Sequence, residues 1–497
     1  MMSFRFPSPE KPWHWTGLII LLRLPILAYF IWQGHLLFPE RMMADFVLQE
    51  VDYGYFLGPV DNYFETGNYE YTPGEPYAGR MPGYAIPYFL LRLILSQTLA
   101  IQLLIILQVI LSAVSVYYLA RMAQEIVRSE TAFYLTLILY GTSLYYLRYD
   151  FCTITEGPSV ALFILAMHHL FRFWGAWRPR NLIWAGTFIT WAIFLRPFIG
   201  YLLVPIGVML LIEGWKQSGW SRLYFVRPAL IFCIPFILIE GAWIARNQVA
   251  FDEFIPLETP LHESYGKAYS KSWLALRDLS AALDIERAYF EAGLAWWFRI
   301  AEEDEATAYT MPEDWFDGVS FTRSDLEELR KDYRAYRAEG EAMLYEPMDE
   351  RIAAEANALE KQIAQARPMQ YHLWNRLKNI QRRVFTSGSS YVLLPPFHEM
   401  SLFQKSLKLW ASFCYYFVGI FGLFGLFRLA LVGKESRFRN LGALTLIHVI
   451  GLPVLLSIFP STLENRYLFT LYPILFLGTV HTIAYILGVS RKSRWIP

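Results

Sequence analysis

What most constrains this chain is the recurrence of apolar stretches long enough to cross a bilayer, which takes roughly 20 helical residues. Candidates lie at residues 15–36, 98–120, 131–148, 157–173, 181–196, 197–213, 228–246, 408–431, 441–459 and 466–487. With 55% of its 497 residues hydrophobic and 17% aromatic, the chain holds more apolar material than one or two soluble domains bury. It reads as an all-α polytopic membrane protein of about ten transmembrane helices, with roughly 10–13 compatible with soft boundaries. The apolar segment after MMSFRFPSPEKPWHW has no small-residue cleavage site, so it is expected to stay as an anchor.

Charge excludes other classes. The formal net charge is zero, and no P-loop or Gly-rich dinucleotide fingerprint occurs, so neither nucleic acid nor a nucleotide is an expected partner. Cys152, Cys233 and Cys414 have no metal-like spacing and lie in or beside apolar runs, which argues against a disulfide framework. His168 and His169 are adjacent, and neighbouring side chains on a helix point in different directions, so they make a poor metal pair.

Basic residues set the orientation, because short cytoplasmic loops carry the excess of Lys and Arg. Arg121 with Arg128, Arg172 with Arg178 and Arg180, Lys216 with Arg222 and Arg227, Lys434 with Arg437 and Arg439, and Arg491 with Lys492 and Arg494 all fall inside if the amino terminus is inside. This parity requires residues 83–96, which carry Pro87 and Arg92, to lie in the outer interface. The organisation is then a cytoplasmic amino terminus and first helix (1–36), an external loop with juxtamembrane helices (37–97), a membrane bundle (98–246), a mainly helical extracytoplasmic domain (247–407), and closing membrane helices with a basic tail (408–497). In the polar domain, Ser324-Asp325-Leu326-Glu327 suggests a capping box and residues 349–367 a second charged helix. Leu373, Leu377, Ile380 and Val384 recur at helical spacing beside Trp374 and opposite Arg376, Lys378, Arg382 and Arg383, as in an interfacial helix.

Groups able to do chemistry gather in the external segments. The first loop carries Asp52-Tyr53-Gly54-Tyr55, Gly67-Asn68-Tyr69 and the stretch from Glu75 to Tyr84, which includes Arg80. Asp45, Asp52 and Asp61 are all candidates for a base, and each could equally be a cap or surface charge. Arg148, Tyr149, Asp150, Thr155 and Glu156 join two helices, Arg196-Pro197 and Arg246-Asn247 close two more, and Glu464-Asn465-Arg466-Tyr467 opens the last. Singly, each arginine reads as snorkelling to lipid headgroups. Together with carboxylates on one face, they suit an anionic headgroup, since guanidinium forks match phosphate oxygens in pairs. Glu240, about two turns inside its helix, carries a weaker functional flag because charge there is costly.

The order of these pieces resembles the GT-C superfamily of membrane glycosyltransferases, and more closely its bacterial branch related to protein O-mannosyltransferases and aminoarabinose transferases. The matching pieces are Asp52-x-x-Tyr55, Gly67, Arg80-Met81-Pro82-Gly83-Tyr84, Thr155-Glu156, Arg196-Pro197, Arg246-Asn247 and Arg466-Tyr467. Met81 departs from the Arg-Pro-Pro-Gly-Tyr of that family, and residues 270–365 are not covered by the likeness. The resemblance implies a GT-C-like bundle and transfer of a sugar from a polyprenyl-phosphate donor to a glycan, lipid or protein acceptor at the outer face of the cell membrane. It makes Asp52 the general base, with Glu156 or Asp150 in support. Arg80, Arg148, Arg246, Arg466 and Tyr467 would hold the donor phosphate, and Tyr55, Tyr84 and Arg196 would support them. Anomeric inversion is expected, no cofactor is required, and assistance by a divalent cation is left open.

Two other readings fit part of the pattern. A transporter or flippase of a lipid-linked saccharide also needs arginines for an anionic headgroup, but should carry charges near the bilayer midplane on broken helices. A non-catalytic membrane subunit would tolerate loss of Asp52. For topology, cysteines replacing Glu75 or Glu339 should react with an impermeant reagent in intact cells. Protection of either until lysis would overturn the ten-helix orientation.

Overall fold

The computed structural model describes residues 10–50, 52–72, 74–218, 221–258, 270–284, 293–338, 346–385, 392–458 and 465–488. The chain divides into two compact units, Met1–Glu258 with Ser387–Ile450 and Arg466–Pro497, and Thr259–Thr386 with Gly451–Asn465.

The first unit opens with α1 (Pro12–Leu37), the small antiparallel hairpin β1 (Met42–Met43) and β2 (Val47–Leu48), α2 (Tyr53–Thr66) and α3 (Ala85–Arg92). There follow α4 (Gln97–Val127), α5 (Glu130–Gly141), α6 (Leu144–Leu147), α7 (Glu156–Ala176), α8 (Pro179–Leu195), α9 (Leu203–Ser218) and α10 (Arg227–Phe251). Helices α11 (Lys271–Asp284), α12 (Leu294–Arg299), α13 (Glu303–Ala308), α14 (Arg323–Ala338), α15 (Glu346–Ala366) and α16 (Asn375–Val384) form the second unit. The chain then runs through α17 (Leu402–Val432), α18 (Ser436–Ile458) and α19 (Leu471–Ile486).

The protein is thus an all-α polytopic membrane protein. Among the described residues seven helical segments are long and apolar enough to cross a membrane: α1, α4, α7, Pro197–Gln217, Tyr224–Phe251, α17 and α18. The other three expected spans are helical but shorter. Residues 131–148 break between α5 and α6, α8 has 17 residues, and α19 has 16. A count of ten therefore exceeds what length and composition establish. Residues 83–96 contain only the eight-residue α3, roughly 12 Å of helix and too short to span.

Helix α7 lies in the middle of the first unit, packed against α4 and α8 and buried along most of its length. Beside it Arg23, in the apolar run of α1, is fully buried. Its guanidinium donates to the Gly141 carbonyl (2.8 Å), to Ser112 Oγ (2.9 Å) and to Asp150 Oδ2 (2.9 Å), tying α1, α4, α5 and the turn before α7 together. Elsewhere α17 and α19 meet backbone to backbone. A Cβ on Gly422, Gly425 or Gly478 would overlap a carbonyl of the facing helix, and Thr479 and Thr482 donate across to the Val418 and Phe421 carbonyls (3.1 and 2.7 Å). Small residues and hydroxyl bonds of this kind drive helix association where lipid removes the hydrophobic incentive.

The second unit has its own core, in which Leu276, Leu279, Trp297, Phe298, Leu326, Leu329 and Ile352 are buried. At the start of α14 the carboxylate that reaches back is Asp325, two residues earlier than the Glu327 that the sequence suggested: Thr322 N–H and Oγ donate to Asp325 Oδ2 (2.6 and 2.8 Å). Around α16 the apolar residues Leu373, Trp374 and Leu377 are exposed, while Asn375, Asn379 and Arg383 are buried. That inverts the arrangement of a helix packed on a soluble core.

Asp150→Ala strands the buried Arg23 guanidinium and should cost about 3–5 kcal/mol, whereas replacing both partners with apolar residues of similar volume should recover most of it. Thermal unfolding of the purified variants checks this; equal losses in the single and double variants would contradict it.

Candidate functional site

The site is built on a set of local devices at one end of the first unit's helices. In the hairpin, Ala44 and Asp45 take positive φ (49° and 65°), and the Asp45 carbonyl bonds His35 Nε2 (2.8 Å). Asp45 is therefore a turn residue. On the second strand of the hairpin, Leu48 also pairs with the loop before α7: its N–H donates to the Phe151 carbonyl (3.2 Å) and its carbonyl accepts from Thr153 N–H (3.1 Å). That pairing sets the height at which Asp52, immediately before α2, enters the site. Asp61, later on α2, is spent on Tyr88 (2.7 Å), Arg92 (3.3 Å) and Gln97 (2.9 Å), holding α2 to α3 and α4.

Asp52 instead meets arginine. Arg466 Nη2 lies 2.8 Å from Asp52 Oδ2, and its Nε lies 3.3 Å from Glu156 Oε1. Arg196 forms an ion pair with the same Glu156 oxygen. Glu156 occupies the first turn of α7, where the helix dipole also favours an anion. Arg196 is placed by Pro197: a residue before proline is driven out of the helical region, and α8 ends with Arg196 extended at φ −147°. Its guanidinium sits 5.3 Å from the centroid of the Tyr467 ring. The stems are braced from behind, since Tyr201 Oη bonds His448 Nδ1 (2.6 Å) and His448 Nε2 bonds Thr470 Oγ1 (2.9 Å).

The turn from Arg80 to Tyr84 lies against α8 because Gly83 has no Cβ; one there would overlap the Phe194 carbonyl. Tyr84 donates to Gln108 Oε1 (3.1 Å), and Gln108 in turn donates to the Tyr149 and Cys152 carbonyls (2.6 and 3.2 Å). Arg80 pairs with Glu258 at 3.1 Å. Burial pushes the Glu258 carboxyl up, against the pull of Arg80 and then Arg196.

The remaining expected residues stand in separate contacts. Arg148 pairs with Glu50 (2.8 Å), which also holds Arg41 (3.0 Å). Arg246 donates to the Tyr77 carbonyl (2.8 Å) and Asn247 (2.9 Å), with its guanidinium over the rings of Tyr69, Trp243 and Phe251. Tyr55 stacks on Tyr71, with ring centroids 5.0 Å apart. Asp150 belongs to the buried Arg23 pair and not to the Asp52 group. Glu464 lies outside the described residues, as does Glu339. Sequence reading overlooked Glu50, Glu258 and His448. Glu50 stood two residues from Asp52 in the same acidic stretch, while Glu258 and His448 carried no local signal of their own.

Fold and site together define an all-α, multi-pass membrane protein with alternating carboxylates and arginines at one end of its bundle. Residues 85–239, from α3 into α10, match the family model described as dolichyl-phosphate-mannose-protein mannosyltransferase. The match supports a GT-C-like membrane glycosyltransferase. It takes in Arg148, Asp150, Glu156 and Arg196, while Asp52, Arg80, Arg246 and Arg466 lie outside it. No curated protein and no solved structure matches the chain.

Glu156 is nearly inaccessible and carries two arginines, whereas the Asp52 side chain is 19% exposed. Glu156→Ala should therefore destabilise the fold by about 3–5 kcal/mol, and Asp52→Asn by under about 1 kcal/mol. Thermal unfolding in detergent reads both, and a large loss from Asp52→Asn would make its carboxylate a structural group.

Proposed function

We propose that the protein transfers a sugar from a polyprenyl-phosphate carrier to an acceptor hydroxyl or amine at the outer face of the cell membrane, with Asp52 as general base. The observation carrying this reading is that one arginine, Arg466, touches both Asp52 and Glu156. In this reading the acceptor binds beside Asp52, which takes its proton as the nucleophile attacks the anomeric carbon. The bond from that carbon to the phosphate oxygen breaks, and the lipid phosphate leaves with the electron pair. In the same reading Arg466 and Arg196 are the guanidinium groups that receive that charge, and fixed donors of this sort act without reorganising at the moment of reaction. The arginines supply the positive charge, so the reading invokes no resident cofactor. Attack opposite the leaving group inverts the anomeric centre.

The five basic clusters support placing the site outside, because they and the site residues lie at opposite helix ends of the expected topology. The polar stretch 247–407 would then also be extracytoplasmic. Tyr467, against Arg196, and Tyr84, through Gln108, would support the arginines and the first loop. Arg80, Arg148 and Arg246 would stand around the headgroup at separate places, since each is held by contacts of its own.

Asp52→Asn should keep normal yield and lose transfer by about a hundredfold or more. Purified protein, a radiolabelled polyprenyl-phosphate sugar and a scored acceptor provide the assay. Near-normal transfer by Asp52→Asn would move the base elsewhere, and wild-type donor affinity and turnover in Arg466→Ala would leave that arginine without a role at the phosphate.

A further inference from the structure

Just past α10 the chain makes a turn held by side chains from inside that helix. Leu257, a branched residue, adopts the left-handed conformation at φ +53°, which a side chain occupies only when its surroundings impose it. Both of its backbone groups are claimed: its N–H donates to Glu240 Oε1 at 2.7 Å, and its carbonyl accepts from Trp243 Nε1 at 2.6 Å. One turn further along α10, Asn247 donates to the Ile255 carbonyl at 3.0 Å. Glu240, Trp243 and Asn247 are all buried. The residue delivered by this clamp is Glu258, whose carboxylate lies 3.1 Å from Arg80 Nη1.

A carboxylate inside an apolar helix is expensive, and Glu240 spends it on the backbone N–H of Leu257, the residue immediately before Glu258. We propose that Glu258 is a positioning residue of the site, setting the Arg80 guanidinium toward the donor's anionic headgroup, and that the Glu240 and Trp243 clamp exists to fix Glu258. The proposal rests on the transferase reading above. Because burial holds the Glu258 carboxyl above its ordinary range, opposed by Arg80 and Arg196, the ion pair is complete only above that raised value and is lost as pH falls through it. Arg80 then loses the partner that orients it.

Donor KM and turnover are measured against pH for the full-length protein and for Glu258→Gln, Glu240→Ala, Glu240→Gln and Glu240→Ala/Glu258→Gln, with hydrogen exchange at residues 252–258. Glu258→Gln should raise donor KM about tenfold, the size of one lost charged hydrogen bond, with a much smaller change in kcat, and should remove the acid limb of the KM profile. Glu240→Ala should reproduce that rise and speed exchange at Leu257. Glu240→Gln, which keeps an acceptor oxygen, should rescue both, and the double variant should be no worse than either single one because the residues act as one unit. Transfer by the unaltered protein together with an unchanged KM profile in Glu258→Gln overturns this inference alone, as do additive losses in the double variant. Absence of transfer by the unaltered protein overturns the transferase reading, and this inference with it.

Discussion

A carboxylate in a poorly hydrated interior must be matched by positive charge, and at Glu156 the match comes from two directions. Arg196 arrives from the end of α8 and Arg466 from the lead-in to α19, and both end on the same oxygen. The requirement is severe because leaving either cation or anion alone in such a place costs several kcal/mol. Three separate parts of the chain are therefore held in register by one group. The hairpin pairing through Leu48 adds the first loop to that arrangement and brings Asp52 against Arg466.

Much of this was readable in the residues because helix ends announce themselves. Pro197 fixes where α8 must stop, and so fixes Arg196. Glu156 opens α7, and the late Arg-Tyr pair precedes the last apolar run. Asp52 was separable from Asp45 and Asp61 only by the motif around it. The structure separates them physically: Asp45 serves a left-handed turn, Asp61 ties three helices, and Asp52 faces arginine.

What escaped the sequence are contacts made by residues distant along the chain with no repeated spacing to mark them. The Arg23 and Asp150 pair is 127 residues apart, so nothing in the local sequence marks the Asp150 carboxylate as the partner of Arg23. Glu258 sits where composition turns polar and reads as the start of a solvated stretch. Its fixed place beside Arg80 is visible only once Glu240 and Trp243 are seen to bind the residue before it. Helix count suffered from a related ambiguity, since α8 and α19 are largely apolar but fall short of an ordinary span.

The glycine contact between α17 and α19 bears on how the site accommodates a bound molecule. With backbone against backbone where side chains would normally interleave, the two helices have no side-chain layer to yield between them, and the threonine bonds to Val418 and Phe421 oppose slipping. The segment carrying Arg466 is thus mounted on a stiff footing. A side chain at 422, 425 or 478 would have to part the two helices, and the shift would travel along α19 to Thr470, whose hydroxyl holds His448.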